Sequence, residues 1–228
     1  MTKIVGVIGS KGFVGSSIYR HIKLKKISIN RNNYLDLQKK KFDIVINCAM
    51  PSKRFWAKQN PKLDFKETVL KTKYFIENYN YKKFIHISSI SARCEKNTIY
   101  GKNKRASEFL VKKIKNYLII RLGPMFGKKL TKGVLVDIMH DKTVYINKNS
   151  NYSFTSVDWA GKWVANNLSI KNKTIEIGSK NYIKLGNLAK KINSKSNFIG
   201  RTDHQIIRSN ISHNSDSVGV YDYLEKIK

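Results

Sequence analysis

Acidic residues, prolines, cysteines and long apolar runs are all scarce in this sequence, and each scarcity excludes something. The 228 residues include only two cysteines, Cys48 and Cys94, too few for a disulfide framework or a cysteine-based metal site. Three prolines, no low-complexity stretch and no internal repeat leave no marked linker. The longest apolar runs, Ile44–Cys48 and Tyr117–Ile120, are strand-sized, far short of the roughly 20 residues a membrane helix needs. The N-terminus enters an apolar strand at once, without an Arg-rich presequence or a signal-type apolar region, so a cytoplasmic location is expected and no membrane partner is.

Against 15 acidic residues stand 45 basic ones, a net charge of +30. Such a charge suits nucleic acid or an anionic surface. The basic residues, however, are spread in short groups, as at Lys39–Lys41, Lys112–Lys115 and Lys190–Lys191. Heavy use of Lys, Asn and Ile along the whole chain reads as compositional drift, and nucleic acid stays as the alternative partner. A positive surface also attracts phosphorylated substrates and cofactors. With 41% hydrophobic residues the chain can bury one sizeable core and a small appended lobe.

Strand and helix patterns alternate, which predicts a mostly parallel sheet covered on both faces. Lys3–Ile8, Lys26–Asn30, Asp43–Asn47, Lys83–Ser88 and Tyr117–Arg121 read as strands. Phe13–Leu24, Pro61–Tyr79 (with Phe65, Val69 and Phe75–Ile76 on its apolar face) and Tyr100–Lys115 read as helices. Beyond residue 125 the pattern weakens: Gly133–His140, Asp158–Leu168 and Lys184–Ile192 look helical, Thr143–Ile146 and Thr174–Ile177 extended. Residues 200–228 give no clear pattern except a final helix at Asp222–Ile227. One domain over 1–228 is expected, its residues from about 125 onward forming a small lobe over the carboxyl ends of the strands, where doubly wound sheets bind ligands.

Gly9, Gly12 and Gly15 lie in GSKGFVG, between the first strand and the first helix, the context a dinucleotide fingerprint requires. Gly9 would permit the tight turn, Gly12 the approach of backbone to a pyrophosphate, Gly15 close packing of helix on strand. The bland alternative is a structural strand–helix turn. The helix N-terminus offers unpaired N–H groups to phosphate, so Gly9, Ser10, Lys11, Gly12, Phe13, Val14 and Gly15 are candidate cofactor contacts. The second strand ends Ile29-Asn30-Arg31, with a base where NAD-preferring folds carry an acid. A guanidinium suits a 2′-phosphate, so NADP is the expected cofactor, with NAD possible; the alternative is that Arg31 is one surface base among many. Asp36 or Leu37 is expected near the adenine, unless Asp36 is a solvated turn residue. Asn47, Cys48 and Ala49, ending the third strand, are expected beside the adenosine ribose.

Tyr100 and Lys104 are four apart and share a helix face, downstream of a strand ending Ser88-Ser89. A phenol titrates near pH 10, and a neighbouring ammonium favours its ionised form. Tyr100 is thus a candidate acid–base catalyst for a carbonyl or hydroxyl, Lys104 its partner and a ribose ligand, and Ser88 or Ser89 the group that holds the oxygen. A Tyr and Lys on a helix surface is the alternative. His86, alternating with apolar residues, reads as packed core; His140 and His204 carry no signal.

These segments, together with DIVINCA at 43–49, RLGPMFG at 121–127 and FTSVDWAG at 154–161, resemble an extended short-chain dehydrogenase/reductase of the NAD-dependent epimerase/dehydratase family. The short interval from Arg31 to Phe42 resembles its dTDP-4-dehydrorhamnose reductase-like branch. The resemblance implies an α/β, Rossmann-type doubly wound parallel sheet with a small C-terminal substrate lobe. It implies a nucleotide-sugar substrate, with keto-sugar reduction or epimerisation by hydride transfer, and nicotinamide contacts at Gly123, Pro124 and Met125. It also implies homodimers formed through the helices that include Tyr100 and Lys104. Arg93, Lys128 and Lys129 are candidates for the substrate diphosphate, and Cys94 is either an acid in epimerisation or incidental. The competing reading is a catalytically idle binding protein of the same fold, for RNA or redox sensing.

Overall fold

The computed structural model describes residues 3–208 and 215–227. The chain divides into two compact units. The first runs to Arg121 and takes in Ala160–Ile175; the second comprises Leu122–Trp159 and the residues from Glu176 onward.

The first unit alternates strand and helix. In order come β1 (Ile4–Ile8), α1 (Phe13–His21), β2 (Lys25–Ile29), β3 (Lys41–Asn47), α2 (Arg54–Gln59), α3 (Pro61–Phe65), a π-helical turn (Lys66–Leu70), α4 (Lys71–Asn78), β4 (Asn80–Ser89), α5 (Ser91–Cys94), α6 (Ile99–Lys112) and β5 (Tyr117–Leu122). The chain goes on through β6 (Met125–Phe126), α7 (Val134–Met139), β7 (Asn151–Tyr152), β8 (Thr155–Ser156), α8 (Val157–Asn166), β9 (Lys173–Ile177), β10 (Ile183–Lys184), α9 (Leu185–Lys191) and α10 (Gly219–Glu225). The main sheet has the order β2-β1-β3-β4-β5-β9. β1 pairs in parallel with β2 and β3, and β3 with β4, with Val5 opposite Ile44 and Asn47 opposite His86.

The strands are continuous β-branched and apolar runs because both faces are covered. Ile8, Ile29, Val45, Phe84, Val111 and Ile119 form one buried cluster, each large side chain worth roughly 1.5–3 kcal/mol of burial. Gly161 of α8 sits tight on α1, where a Cβ would fall 2.7 Å from the Ser17 carbonyl carbon. Lys26 closes the C-terminus of α1, donating to the Tyr19, Arg20 and Ile22 carbonyls, which the last turn leaves without intrahelical partners.

Several expected boundaries shift. β2 ends at Ile29, because Asn30 starts an Asn-rich turn in which Asn33 accepts from the Asn30 N–H. From Thr143–Ile146 only Val144 makes a strand-like bridge, to Phe198. The helix expected over Pro61–Tyr79 is α3, the π turn and α4 in succession. A wide turn slips the phase of a helix, and here both Thr68 and Val69 are buried. The inward stripe is Asp64, Thr68, Thr72, Phe75 and Tyr79, while Phe65, expected inside, is 43% exposed. Apolar periodicity misplaced it because half of the true stripe is polar.

The second unit has its own core, with Phe126, Leu135, Ile138, Tyr152, Phe154, Leu185 and Leu188. Its two-stranded sheets are β10-β7 and β6-β8. No helix among the described residues is long and apolar enough to cross a membrane.

Candidate active site

The glycine loop has the geometry its three glycines require. Gly9 has φ +76, a left-handed conformation that glycine adopts without steric cost. Its N–H donates to the Ile29 carbonyl (2.9 Å), and the Gly12 N–H donates back to the Gly9 carbonyl (2.9 Å). At Gly15 a Cβ would stand 2.2 Å from the Gly9 carbonyl oxygen, so any side chain there would push helix from loop. α1 starts with no side-chain cap and no acid in its first turn, leaving its N–H groups and the positive end of its dipole to an anion. Lys11 and Gly12 are exposed, Phe13 and Val14 half-buried, whereas the Ser10 hydroxyl is tied to that of Ser28 (2.5 Å). The end of β3 comes alongside: the Cys48 N–H donates to the Ile8 carbonyl, and Ala49 backbone would meet a Cβ on Gly9 at 3.0 Å. Burial pushes the Cys48 thiol well above its ordinary range, which argues against a nucleophile. Arg31 and Asp36 are exposed in the turns after β2, and Leu37 packs against the first-unit core. The loop therefore fits the pyrophosphate of a dinucleotide.

α6 carries the second half of the site. Thr98 caps it, its hydroxyl accepting from the Gly101 N–H (3.0 Å), as an N-terminal threonine does. Gly101 is obligatory for a reason not visible in sequence: a Cβ there would lie 2.0 Å from the Glu95 carbonyl oxygen. A helix that follows a parallel strand runs back along it, so β4 and α6 meet in reverse order. His86 Nε2 lies 3.1 Å from the Ser107 hydroxyl, Ser88 donates to Glu108 Oε1 (2.6 Å), and the Ser89 hydroxyl accepts from the Ser91 N–H (3.2 Å) and is near enough to the Tyr100 phenol to favour its ionised form. The two adjacent serines thus have different partners. Glu108 is also held by Arg121 of β5, Nε to Oε1 at 2.9 Å and Nη2 to Oε2 at 2.6 Å.

Tyr100 and Lys104 are both buried, and Lys104 Nζ stands 5.1 Å from the centroid of the Tyr100 ring. The ammonium donates to the Pro51 carbonyl at 3.0 Å. Burial raises Tyr100 above its ordinary range; the Ser89 hydroxyl and the Arg54 charge pull it the other way, while Glu95 and Asp64 add to the rise. Burial pushes Lys104 down to about 8, opposed by the charges of Asp64 and Glu108. His86 is pushed down to about 3 by burial and by Lys104, so its ring is neutral and packed.

Three groups escape a reading based on periodicity. Asp64 of α3 is fully buried and accepts from Asn103 Nδ2 at 2.7 Å. Arg54 of α2 pairs with Glu95 (2.5 Å), which also accepts from Ser91 at 3.0 Å. Glu108 lies four residues beyond Lys104, on the face that holds Tyr100; that spacing was the one signal available. Arg93 is half-buried and Cys94 exposed. Among the described residues no cluster of three or more His, Cys, Asp and Glu could hold a metal.

In the second unit, the segments 121–127 and 154–161 are neighbours. Met125 and Phe126 pair with Thr155 and Ser156, and the Thr155 N–H donates to the Pro124 carbonyl (3.0 Å). Gly123 faces Ile207, which a Cβ would meet at 3.0 Å. Lys128 and Lys129 are exposed.

No family model matches the chain, and no curated protein matches it by sequence. Solved structures do match in fold. A dTDP-4-dehydrorhamnose reductase from Bacillus anthracis, in complex with NADP, shares 16% identity at a TM-score of 0.78, covering 100% of this chain and 99% of that one. A UDP-N-acetylglucosamine 4-epimerase from Methanobrevibacter ruminantium, in complex with UDP-N-acetylmuramic acid, shares 17% at 0.80, covering 99% and 96%. A UDP-glucose 4-epimerase from Thermotoga maritima with UDP-glucose shares 15% at 0.76, covering 91% and 90%. The fold is therefore the α/β Rossmann-type architecture that these structures share.

Proposed function

We propose that this protein is an NADP-dependent enzyme of nucleotide-sugar metabolism that reduces a keto group, or epimerises a carbon, by hydride transfer. The observation that carries the reading is the meeting of Ser89, Tyr100 and Lys104 at the end of β4, in the same unit as a glycine loop fitted to a dinucleotide. The fold shared with an NADP-bound reductase and with nucleotide-sugar epimerases supports the substrate class.

When bound, the nicotinamide supplies or accepts the hydride. Tyr100, kept protonated by burial, is suited to give its proton to a carbonyl oxygen as the neighbouring carbon is reduced, and to take it back in the reverse direction. Ser89 holds that oxygen. Lys104 grips the cofactor ribose and favours the phenolate by charge once the proton has left. Gly9 to Gly15 receive the pyrophosphate, Arg31 the 2′-phosphate, and Asn47, Cys48 and Ala49 pass the ribose. Gly123, Pro124 and Met125 are the residues proposed to contact the nicotinamide. Ser88, bonded to Glu108, is a support of the site rather than a ligand of the oxygen. Leu63, Leu70 and Phe109 are exposed apolar residues on the helical stretch from α3 to α4 and on α6, which supports a homodimer through these helices. The cell compartment proposed is the cytoplasm.

Calorimetric titration with NADPH and NADH, beside an Arg31→Ala variant, tests the reading. Tight NADPH binding that weakens by about tenfold or more in the variant is expected, since a bidentate charged contact to phosphate is worth about 1.5–3 kcal/mol. NADPH oxidation in the presence of 4-keto nucleotide sugars then identifies a reductase, and sugar interconversion without net oxidation an epimerase. Binding of neither cofactor would remove the oxidoreductase reading and bring RNA binding forward.

A further inference from the structure

Gly123, Pro124 and Met125 belong to a segment that can do little to hold its own shape. Gly123 and Gly127 have no side chains, Pro124 has no N–H, and β6, two residues long, pairs with a β8 of the same length. A two-stranded ribbon this short is not stable by itself. The turn that follows is strained as well. The Leu130 N–H donates to the Gly127 carbonyl at 3.1 Å, closing a turn in which Lys129 has φ +71. That left-handed conformation suits glycine and is disfavoured for lysine. The hold on this segment must come from its neighbours.

Three neighbours in the second unit supply it. The Thr155 N–H donates to the Pro124 carbonyl at 3.0 Å. Ile207 packs on Gly123, where its Cδ1 would stand 3.0 Å from a Cβ. The third neighbour is α10. The Tyr223 hydroxyl donates to the Gly127 carbonyl at 3.1 Å, the same carbonyl that closes the strained turn, and its ring lies against Phe126 with centroids 5.5 Å apart. Gly219, four residues earlier and on the same helix face, meets the Phe126 ring too, its Cβ position 3.6 Å from Cζ. Phe126 is buried, and neighbours along a strand point to opposite faces, so fixing Phe126 inward turns Met125 outward. α10 is itself seated: Val220 and Leu224 are buried in the core of the unit. The residues before it are tied to the loop after β9, Asn181 Nδ2 donating to Asp216 Oδ1 (2.7 Å) and the Ser217 N–H to Asn181 Oδ1 (2.8 Å). A phenylalanine at position 223 would pack the same ring; the hydroxyl is what reaches the backbone of the segment.

We infer that Tyr223 is a positioning residue for the reaction proposed above: from the C-terminal helix it holds the Gly127 carbonyl and the Phe126 ring, and so keeps Gly123–Met125 in the shape that receives the nicotinamide. The role rests on the reading of Gly123, Pro124 and Met125 as nicotinamide contacts. Its consequence is a division between the two ends of the cofactor. The pyrophosphate and the 2′-phosphate are assigned to Gly9–Gly15 and Arg31, which Tyr223 does not touch, so only the nicotinamide end depends on α10.

The test uses Tyr223→Phe, which keeps the ring and removes the hydroxyl. Wild type and variant are titrated by calorimetry with NADPH and with 2′-phospho-ADP-ribose, which shares every part of NADPH except the nicotinamide. NADPH affinity is expected to fall about fivefold in the variant, the scale of one neutral hydrogen bond, while affinity for 2′-phospho-ADP-ribose is unchanged. A merely structural role would weaken both ligands alike. An equal loss for both, or no loss for either, overturns the proposal. Limited trypsin digestion without cofactor reads the tie independently of the function, because Lys128 and Lys129 are exposed and follow Gly127 directly. Cleavage after these two lysines, identified by fragment mass, should be about fivefold faster in Tyr223→Phe, since proteolysis tracks the population of the opened segment; an unchanged rate overturns the tie. Binding of neither ligand by the wild type would count against the proposed function, and the digestion would still decide whether Tyr223 holds the segment.

Discussion

Ser88 and Ser89 are adjacent, yet replacing them should have opposite consequences. Ser88 is buried and donates 2.6 Å to Glu108 Oε1, which is shared with Arg121 Nε. Removing a hydrogen bond to a buried charged group costs about 1.5–3 kcal/mol, so Ser88→Ala is expected to lower Tm by roughly 3–12 °C at about 2–4 °C per kcal/mol for a chain of this size. NADPH affinity in the folded variant should stay within about threefold of wild type, a change below 1 kcal/mol. Breaking the ion pair costs more. Glu108→Leu leaves the Arg121 guanidinium without its bidentate partner, and Arg121→Met leaves the carboxylate with Ser88; each single change should cost about 3–5 kcal/mol, whereas Glu108→Leu combined with Arg121→Met should recover much of the loss, because the buried charges go together. Ser89→Ala, by contrast, should leave Tm within about 2 °C, since surface-proximal losses of this kind stay near 0.5 kcal/mol, and should depress turnover by about 10²-fold or more, the scale of losing one oxyanion donor. Urea or thermal unfolding with parallel activity assays reads both. If Ser88→Ala kept full stability and lost turnover, or if the double variant lost the sum of its singles, Ser88 and the Glu108–Arg121 pair would not be supports of the site.

Two further outcomes follow from the same geometry. Gly15→Ala should weaken dinucleotide binding by about tenfold or more, equivalent to 1.4 kcal/mol, because its Cβ would fall 2.2 Å from the Gly9 carbonyl and the loop must yield; calorimetry with unchanged affinity would refute it. Burial, with the Lys104 charge, pushes His86 in the folded protein down to about 3 from its ordinary 6.5, so the unfolded chain binds the extra proton between these values. Stability is complete above pH 6.5 and falls toward pH 3 by about 1.4 kcal/mol per pH unit; in His86→Leu that acid-side slope should be correspondingly shallower in urea titrations.

Much of this protein is written locally. The alternation of strands and helices, the glycine loop between β1 and α1, and the Tyr100–Lys104 spacing all repeat at the periods of backbone structure, and backbone periods are readable from sequence alone. The turn after β2, where the Asn30 and Asn33 side chains bond to backbone within a few positions, is local too, but the strand pattern ran through it to Asn30. Side chains that pair across the fold leave no such trace. Asp64 meets Asn103 and Arg54 meets Glu95, separated by 39 and 41 residues, and nothing in either local pattern announces the other. The fate of the two serines was likewise open until α6 lay along β4 and gave Ser88 to Glu108 and Ser89 to Tyr100. Phe65 was placed inside because apolar residues are expected there, and the π turn with its polar inward stripe put Asp64 there instead. The return of Ala160–Ile175 to the first unit belongs to the same class. Sequence alone determined which elements form and which residues are chemically able to act; tertiary structure decided which of them meet, because contact between distant residues depends on how the chain is packed and not on any period within it.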